Sequence, residues 1–198
     1  GSSHASQRNW QDFFIDYCRL WCSFKKVSDP IHFICADWIR PEDTRYYEEI
    51  GIDKLKLVDR SMTTRAIVNI VGAYTRNSYD GNLLDLLPHF SNNLLVSKLN
   101  LIKKIKYFFR PFSINIFKLY KAKDIMTDYD VYIDNRSLDG FIDFFLKNNC
   151  DLMSCDECGY CKEVAKKVVK INPEYQDNAC RLHRNFLDQL VSGDIFKY

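Results

Sequence analysis

Residues 31–74 decide the fold, and they begin with Ile31-His-Phe-Ile-Cys35 and Pro41-Glu-Asp-Thr44. The first of these segments is a short apolar run and predicts a buried strand. The second predicts the first turn of a helix that extends to about Ile50, because proline and acidic residues suit a helix N-terminus. We therefore expect a strand followed by a helix.

A second strand and helix are predicted directly afterwards. Gly51 is placed to end the first helix, Asp53-Lys-Leu-Lys-Leu-Val58 alternates like a strand, and Thr63-Thr64 opens a helix with apolar residues at helical spacing. Such units form parallel sheets with right-handed crossovers, but two of them cannot close a barrel or cover both faces of a sheet. We therefore expect an α/β fold whose other units lie upstream or on a partner.

The cysteines form two groups, and the second has the spacing Cys150-x4-Cys155-x2-Cys158-x2-Cys161. Thiolates two residues apart can bind one centre, so this run predicts an iron-sulfur cluster or a zinc site. We expect a helix to begin at this run and to continue from Glu163 to Ile171. The first group consists of Cys18, Cys22 and Cys35, and Cys180 is interpreted as a core residue.

Composition favours a globular protein with reduced cysteines. The chain of 198 residues is 27% charged and 46% hydrophobic, and it has neither an apolar run of transmembrane length nor a signal-peptide pattern. We therefore expect a cytoplasmic location, no membrane contact and metal binding rather than disulfides. The start Gly1-Ser-Ser-His4 and the lack of a methionine before Met62 suggest a tag remnant or a sequence that begins within a gene.

A basic segment connects the two cysteine groups. No acidic residue occurs between Leu86 and Lys123, and the cationic side chains include Lys103, Lys104, Lys106 and Arg110. Interleaved with aromatic residues, they could bind nucleic acid or an acidic peptide. The stronger interpretation is that the same lysines form the solvated face of an amphipathic helix that ends at Pro111. After this connector, Val131-Tyr-Ile-Asp134 predicts a strand, and residues 138–146 predict a helix.

Several motifs together resemble the collagenase-like peptidases, number 32 of the peptidase families of unassigned mechanism (peptidase U32-like proteins). The similarity rests on Cys18-Arg-Leu-Trp-Cys22, Cys35, Glu49-Ile-Gly51-Ile-Asp-Lys-Leu-Lys-Leu-Val-Asp-Arg60 and Ala73-Tyr74. Further segments, Tyr79–Leu87, Val131–Arg136 and Cys155–Cys161, are similar to a bacterial branch of the same family.

The resemblance implies a TIM-barrel-like fold of which this chain carries only the C-terminal units. Residues 1–90 would be the C-terminal part of the barrel, residues 91–130 a basic helical connector, and residues 131–198 a helical, cysteine-rich, metal-binding tail. The N-terminal half of the barrel would come from the same gene or from a partner subunit. The family further implies a 4Fe-4S cluster, with Cys18, Cys22 and Cys35 as ligands of a barrel site; zinc is the alternative at the tail site.

The resemblance also indicates candidate substrate-binding residues after the second predicted strand. The family's Glu-Gly-Arg corresponds to Val58-Asp59-Arg60, so the glutamate is absent and a carboxylate follows one residue later. A one-residue shift in a strand turns a side chain to the opposite face. We therefore do not expect Asp59 simply to replace the glutamate of the family in its function. Arg60 would lie just after the C-terminal end of a barrel strand, where the active sites of TIM barrels are found. It could hold an anionic substrate there, or it could form an ion pair with a carboxylate of a neighbouring loop.

The functional expectation is a redox or modification enzyme rather than a protease. Family members without demonstrated proteolysis bind a four-iron cluster and take part in oxygen-independent hydroxylation of RNA or of a quinone precursor. We therefore expect an iron-sulfur enzyme acting on RNA, a peptide or a small molecule, with an electron donor of unknown identity. The alternatives are a metal-stabilised binding module and a collagenase-like protease, although neither an HExxH nor a G-x-S-x-G motif occurs.

Overall fold

The computed structural model describes residues 17–58, 62–87 and 129–194, apart from the side chains of Cys18 and Arg19. The helices are α1 (Tyr17–Ser28), α2 (Ile31–Ile34), α3 (Thr44–Glu49), α4 (Thr64–Thr75), α5 (Phe141–Lys147), α6 (Cys155–Cys158), α7 (Tyr160–Val168) and α8 (Pro173–Val191). Short 3-10 helices span Pro41–Asp43, Leu83–Leu86, Arg136–Leu138 and Cys150–Leu152. The strands are β1 (Val131–Ile133) and β2 (Val169–Ile171).

These residues divide into two compact units. In the first unit, which includes residues 17–29 and 172–194, α1 packs against α8. The Gln176 amide donates a hydrogen bond to the Val27 carbonyl at 2.8 Å, and the Arg184 guanidinium lies 5.7 Å from the centre of the Phe24 ring. Helix α8 begins after Asn172, whose side-chain oxygen accepts from the backbone of Glu174.

The second unit contains residues 30–58, 62–87 and 129–171, with its own core. Strands β1 and β2 pair antiparallel, with Tyr132 opposite Lys170. The Asn82 side chain extends this pairing: its amide donates to the Val131 carbonyl and its oxygen accepts from the Ile133 N–H, each at 2.9 Å. The buried apolar side chains include those of Phe33, Ile34, Ile70, Ala73, Leu83, Leu86, Ile133, Leu138, Ala165 and Val168.

Both strands predicted in residues 31–58 are wrong. Ile31–Ile34 is a helix, because Pro30 already has a helical backbone and one turn suffices to bury Phe33 and Ile34. An apolar run of four residues does not distinguish a strand from a buried helical turn. Residues 52–58 pair with no strand within the described chain, although the leucines at 55 and 57 are half-buried. An alternating pattern of apolar and polar residues forms a strand only where a neighbouring strand is available for pairing.

The other predicted elements are largely confirmed. Helices α3 and α4 and strand β1 occupy the predicted segments. The helix predicted from residue 138 begins as α5 only after Gly140, which has a φ of 79°. The helix predicted to reach Ile171 ends at Val168, because residues 169–171 pair with β1 instead. Helix and sheet are thus mixed, as the α/β class requires, although the paired strands of the described residues are antiparallel.

The described helices do not have the character of membrane spans. None of those within residues 17–58, 62–87 and 129–194 combines the length and apolar character that crossing a bilayer demands.

Candidate metal centre

A cluster of thiols forms in the second unit from two distant parts of the chain. Cys35 follows α2, Cys150 opens a 3-10 helix, Cys155 opens α6, and Cys161 lies in the first turn of α7. The Cys35 and Cys161 side chains hydrogen bond to each other, and Cys150 and Cys155 lie close enough to act electrostatically on Cys161. We call Cys35, Cys150, Cys155 and Cys161 the thiol cluster.

Packing between α2 and α7 explains the meeting of Cys35 with Cys161. These two helices are in contact, with Phe33 and Ile34 buried on α2 and Ala165 and Val168 buried on α7. The N–H of Cys35 donates to the Ile31 carbonyl at 2.9 Å, so the cysteine ends the helical turn rather than continuing it. Burial of the apolar faces therefore brings the end of α2 to the beginning of α7.

The local turn around α6 separates Cys155 from Cys161. Ser154 forms a capping box with Glu157: the Ser154 hydroxyl oxygen accepts from the Glu157 N–H, while the carboxylate accepts from the Ser154 N–H. Gly159 then adopts a left-handed φ of 64° and donates its N–H to the Cys155 carbonyl at 2.9 Å. This glycine ends α6 and lets the chain begin α7 in a new direction.

The position of Cys150 depends on a further cap. The Asn149 side-chain oxygen accepts a hydrogen bond from the Asp151 N–H at 2.9 Å, and the Asn149 carbonyl accepts from the Leu152 N–H at 3.2 Å. Together these bonds fold residues 149–152 into one tight turn, which begins the cysteine-rich segment.

The surroundings of Cys161 disfavour its thiolate form. Burial, followed by the neighbouring thiols of Cys35, Cys150 and Cys155, raises the pKa of Cys161 to about 12. Several thiolates in one place repel each other, and a bound metal ion removes this penalty because it stabilises the ionised ligands. The grouping that suits a metal thus keeps Cys161 protonated without one.

The four thiols fit a thiolate-bound metal in the kind of donor. Four cysteine ligands suit both a 4Fe-4S cluster and structural zinc. Within the described ranges, no three His, Cys, Asp or Glu side chains already converge on one point, and Cys35, Cys150 and Cys155 are exposed. Binding of one metal by all four thiols would require these exposed side chains to turn toward Cys161.

Half-buried aromatic rings adjoin the thiol cluster in sequence. Tyr160, directly before Cys161, stacks on Phe144 with a centroid distance of 4.0 Å, and Trp38, three residues after Cys35, stacks on Phe141 at 5.5 Å. The Tyr160 hydroxyl donates to the Phe141 carbonyl at 3.2 Å. Such a group of rings can limit solvent access to a metal centre, which affects its electronic properties. In the sequence, the aromatic residues around Phe144 were the feature that could have predicted this group of rings.

A buried arginine, which the sequence reasoning missed, anchors the segment after Cys35. Arg40 is fully buried; its guanidinium contacts Asp139 at 2.5 Å and Glu42 at 3.5 Å, and it donates a hydrogen bond to Asn135 at 3.1 Å. The Asn135 amide donates in turn to the Glu42 carboxylate at 3.0 Å. This network joins residues 40–43 to residues 135–139. The segment Arg40-Pro-Glu-Asp43 could have predicted this network, because it places an arginine beside two acids. The sequence analysis interpreted those acids only as favourable residues at a helix N-terminus.

Two further predicted site residues, Cys158 and Cys22, belong to the described part of the chain. Cys158, at the end of α6, is half-buried, and Cys22 is exposed on α1 in the first unit. The Cys18 side chain lies outside the described residues, so the barrel site of Cys18, Cys22 and Cys35 stays a prediction. The same holds for the following residues, which also lie outside the described ranges: Asp59, Arg60, Lys103, Lys104, Lys106 and Arg110.

Comparison with known proteins gave one informative relationship. No protein-family model and no solved structure matches the chain. An uncharacterized protease of Methanocaldococcus jannaschii is 27% identical over 169 residues, which cover 85% of this chain and 39% of that protein. The chain therefore spans about two fifths of the length of this relative. The similarity agrees with the motifs described above, and the chain is related to the peptidase U32-like, collagenase-like proteins.

Proposed function

We propose that this chain is part of a peptidase U32-like iron-sulfur protein that carries out a redox or modification reaction. The observation that carries the proposal is the gathering of cysteine thiols in the second unit, where Cys161 interacts with Cys35, Cys150 and Cys155. A hydrolase has no need of four neighbouring thiols, whereas an iron-sulfur cluster requires such ligands.

The residues of the chain would hold and shield the centre. Cysteines of the cluster would bind the iron, and the rings of Tyr160, Phe144 and Trp38 would restrict water on one side. Arg40 would keep the segment after Cys35 in place through its contacts with Asp139 and Glu42. When bound, a 4Fe-4S cluster supplies one-electron transfer, and its potential responds to burial and hydrogen bonding.

The rest of the active site would come from a TIM-barrel-like domain. The relative extends well beyond the matched 39% of its length, which leaves room for further strand-helix units. In this proposal Arg60 would hold an anionic group of RNA, a peptide or a small molecule through its guanidinium. An electron donor would deliver electrons to the cluster.

Two other functions each have one supporting observation. The printed name of the relative is that of a protease, which favours a collagenase-like peptidase. The exposure of Cys35, Cys150 and Cys155 suits a structural zinc site at a protein surface, which favours a metal-stabilised binding module.

Metal analysis after anaerobic purification tests the proposal against these alternatives. We expect a brown protein with iron and acid-labile sulfide in equal amounts. A colourless protein with stoichiometric zinc would contradict the redox function and favour the binding module. Collagen or casein cleavage that persists after metal removal and thiol blocking would instead establish a peptidase that uses neither centre.

A further inference from the structure

The two cysteine groups of the sequence meet at one contact. Cys35 belongs to the first group and Cys161 to the second, yet their side chains hydrogen bond to each other. This contact follows from the packing of α2 against α7, where Val168 and Phe33 are both almost completely buried. A contact fixed by core packing persists without metal, and it therefore places one thiol of the first group at the tail site before any metal binds.

The position of Cys35 also suits a ligand. Cys35 is exposed at the end of α2, beyond the buried Phe33 and Ile34, so its thiol lies outside the apolar core. Segments on both sides of Cys35 are held: the Trp38 indole donates to the Phe33 carbonyl at 2.9 Å, and Arg40 is buried among carboxylates. An exposed thiol on a backbone held by its neighbours suits a metal ligand.

We propose that Cys35 is a ligand of the tail centre, so that this chain carries one metal centre shared by α2 and α7. The inference rests on the proposed function, since it requires that the second unit bind metal. It differs from the arrangement that the sequence motifs imply, in which Cys35 serves a separate centre with Cys18 and Cys22. The ligand class is thiolate, and the metal is iron in a cluster or a zinc ion.

A shared centre would connect distant parts of the second unit. Cys35 lies near one end of the first segment of that unit, and Cys161 near the end of its last segment. Metal bound by both would link α2 to α7 in the folded state alone, because the unfolded chain does not hold these ligands together. Ligands that bind only the folded state raise its stability, so metal loading should raise the melting temperature of the second unit.

Three single variants test the inference: Cys35→Ser, Cys161→Ser and the matched control Cys22→Ser. Each is purified anaerobically, and iron, sulfide and zinc per chain are measured together with the melting temperature before and after metal removal by a chelator. We expect Cys35→Ser and Cys161→Ser each to lower metal occupancy by about tenfold or more, and to abolish the chelator-dependent fall in melting temperature. Cys22→Ser should retain both properties.

The control also identifies failures of folding. Cys35 and Cys22 are both exposed, so the metal-free melting temperatures of their serine variants should equal that of the metal-free parent. Loss of the same fraction of metal in Cys35→Ser and Cys22→Ser, with the remainder lost only in Cys161→Ser, would establish two centres and overturn the inference. Full metal retention in Cys35→Ser would also overturn it, while leaving the proposed function intact. A parent protein without iron or zinc would instead contradict the proposed function.

Discussion

Arg40 shows how one side chain can organise several loops of the second unit. Its guanidinium is fully buried and faces Glu42, Asp43 and Asp139, of which Asp43 is itself nearly buried. Burial raises the pKa of Asp43, and the positive charge of Arg40 opposes this effect. Removing one member of such a buried pair leaves an uncompensated charge, which is more costly than the pair is favourable.

Substitution of Arg40 should therefore be severe. We expect Arg40→Met to lower the free energy of unfolding by roughly 3–5 kcal/mol, because Glu42 and Asp43 lose their buried counter-charge. Arg136→Met is the matched control: Arg136 pairs with Asp80 at 2.9 Å, but both side chains are about 70% exposed, and the loss should stay below about 1 kcal/mol. Urea unfolding monitored by circular dichroism measures both. A loss in Arg40→Met as small as that in Arg136→Met would show that the buried network is dispensable.

His183 should make the first unit sensitive to acid. It is buried in α8, one ring nitrogen contacts the Ala179 carbonyl at 2.8 Å, and burial lowers the pKa of the imidazole. The unfolded chain therefore takes up the proton first as pH falls through about 6.5, and stability falls with it. Melting temperatures between pH 7.5 and pH 5.5 should drop more steeply for the parent than for His183→Gln. Parallel pH profiles of the two proteins would contradict this assignment.

At the scale of the elements, local signals predicted helices better than strands. The proline and acids at Pro41–Asp43 and the threonines before α4 correctly indicated helix starts. The apolar run at Ile31–Ile34 was misassigned, because one buried turn and a short buried strand have the same hydrophobic pattern. The end of α7 was also missed, since pairing of β2 with β1 depends on residues far away in the chain.

The turn between α6 and α7 should control metal binding. Gly159 has a φ of 64°, and a side-chain carbon added there meets no atom within 4 Å, so Gly159→Ala adds backbone strain alone. We expect the free energy of unfolding to fall by about 1–2 kcal/mol, because alanine is strained in the left-handed conformation. We also expect weaker metal binding, because the turn sets the direction of the chain between Cys155 and Cys161. Metal competition with a chelator measures the second effect.

Gly193 offers a closely matched control for that substitution. Its φ is 72° and its surroundings are equally open, but it lies in the first unit, which contains no member of the thiol cluster. Gly193→Ala should therefore carry a similar backbone cost and leave metal affinity unchanged. If both glycine variants retain the parent's affinity, the left-handed turn has no part in forming the site.

At the scale of the whole molecule, the cysteine spacing predicts a metal site but not the contact between Cys35 and Cys161. The spacing of Cys155, Cys158 and Cys161 identified a thiolate run without any structure. The approach of Cys35 to that run follows from the contact between α2 and α7, and no local pattern encodes a contact between segments so far apart. The family motifs imply a site that joins Cys35 with Cys18 and Cys22, and that arrangement stays a prediction.

The central claim is that metal binds the thiols gathered in the second unit, including Cys35. Iodoacetamide labelling of the anaerobically purified protein, read by mass spectrometry for each cysteine, tests this most directly. We expect Cys35, Cys150, Cys155 and Cys161 to be protected until a chelator removes the metal, while the exposed Cys22 reacts at the same rate throughout. Labelling of Cys35 and Cys161 at rates that do not change on metal removal would contradict the account.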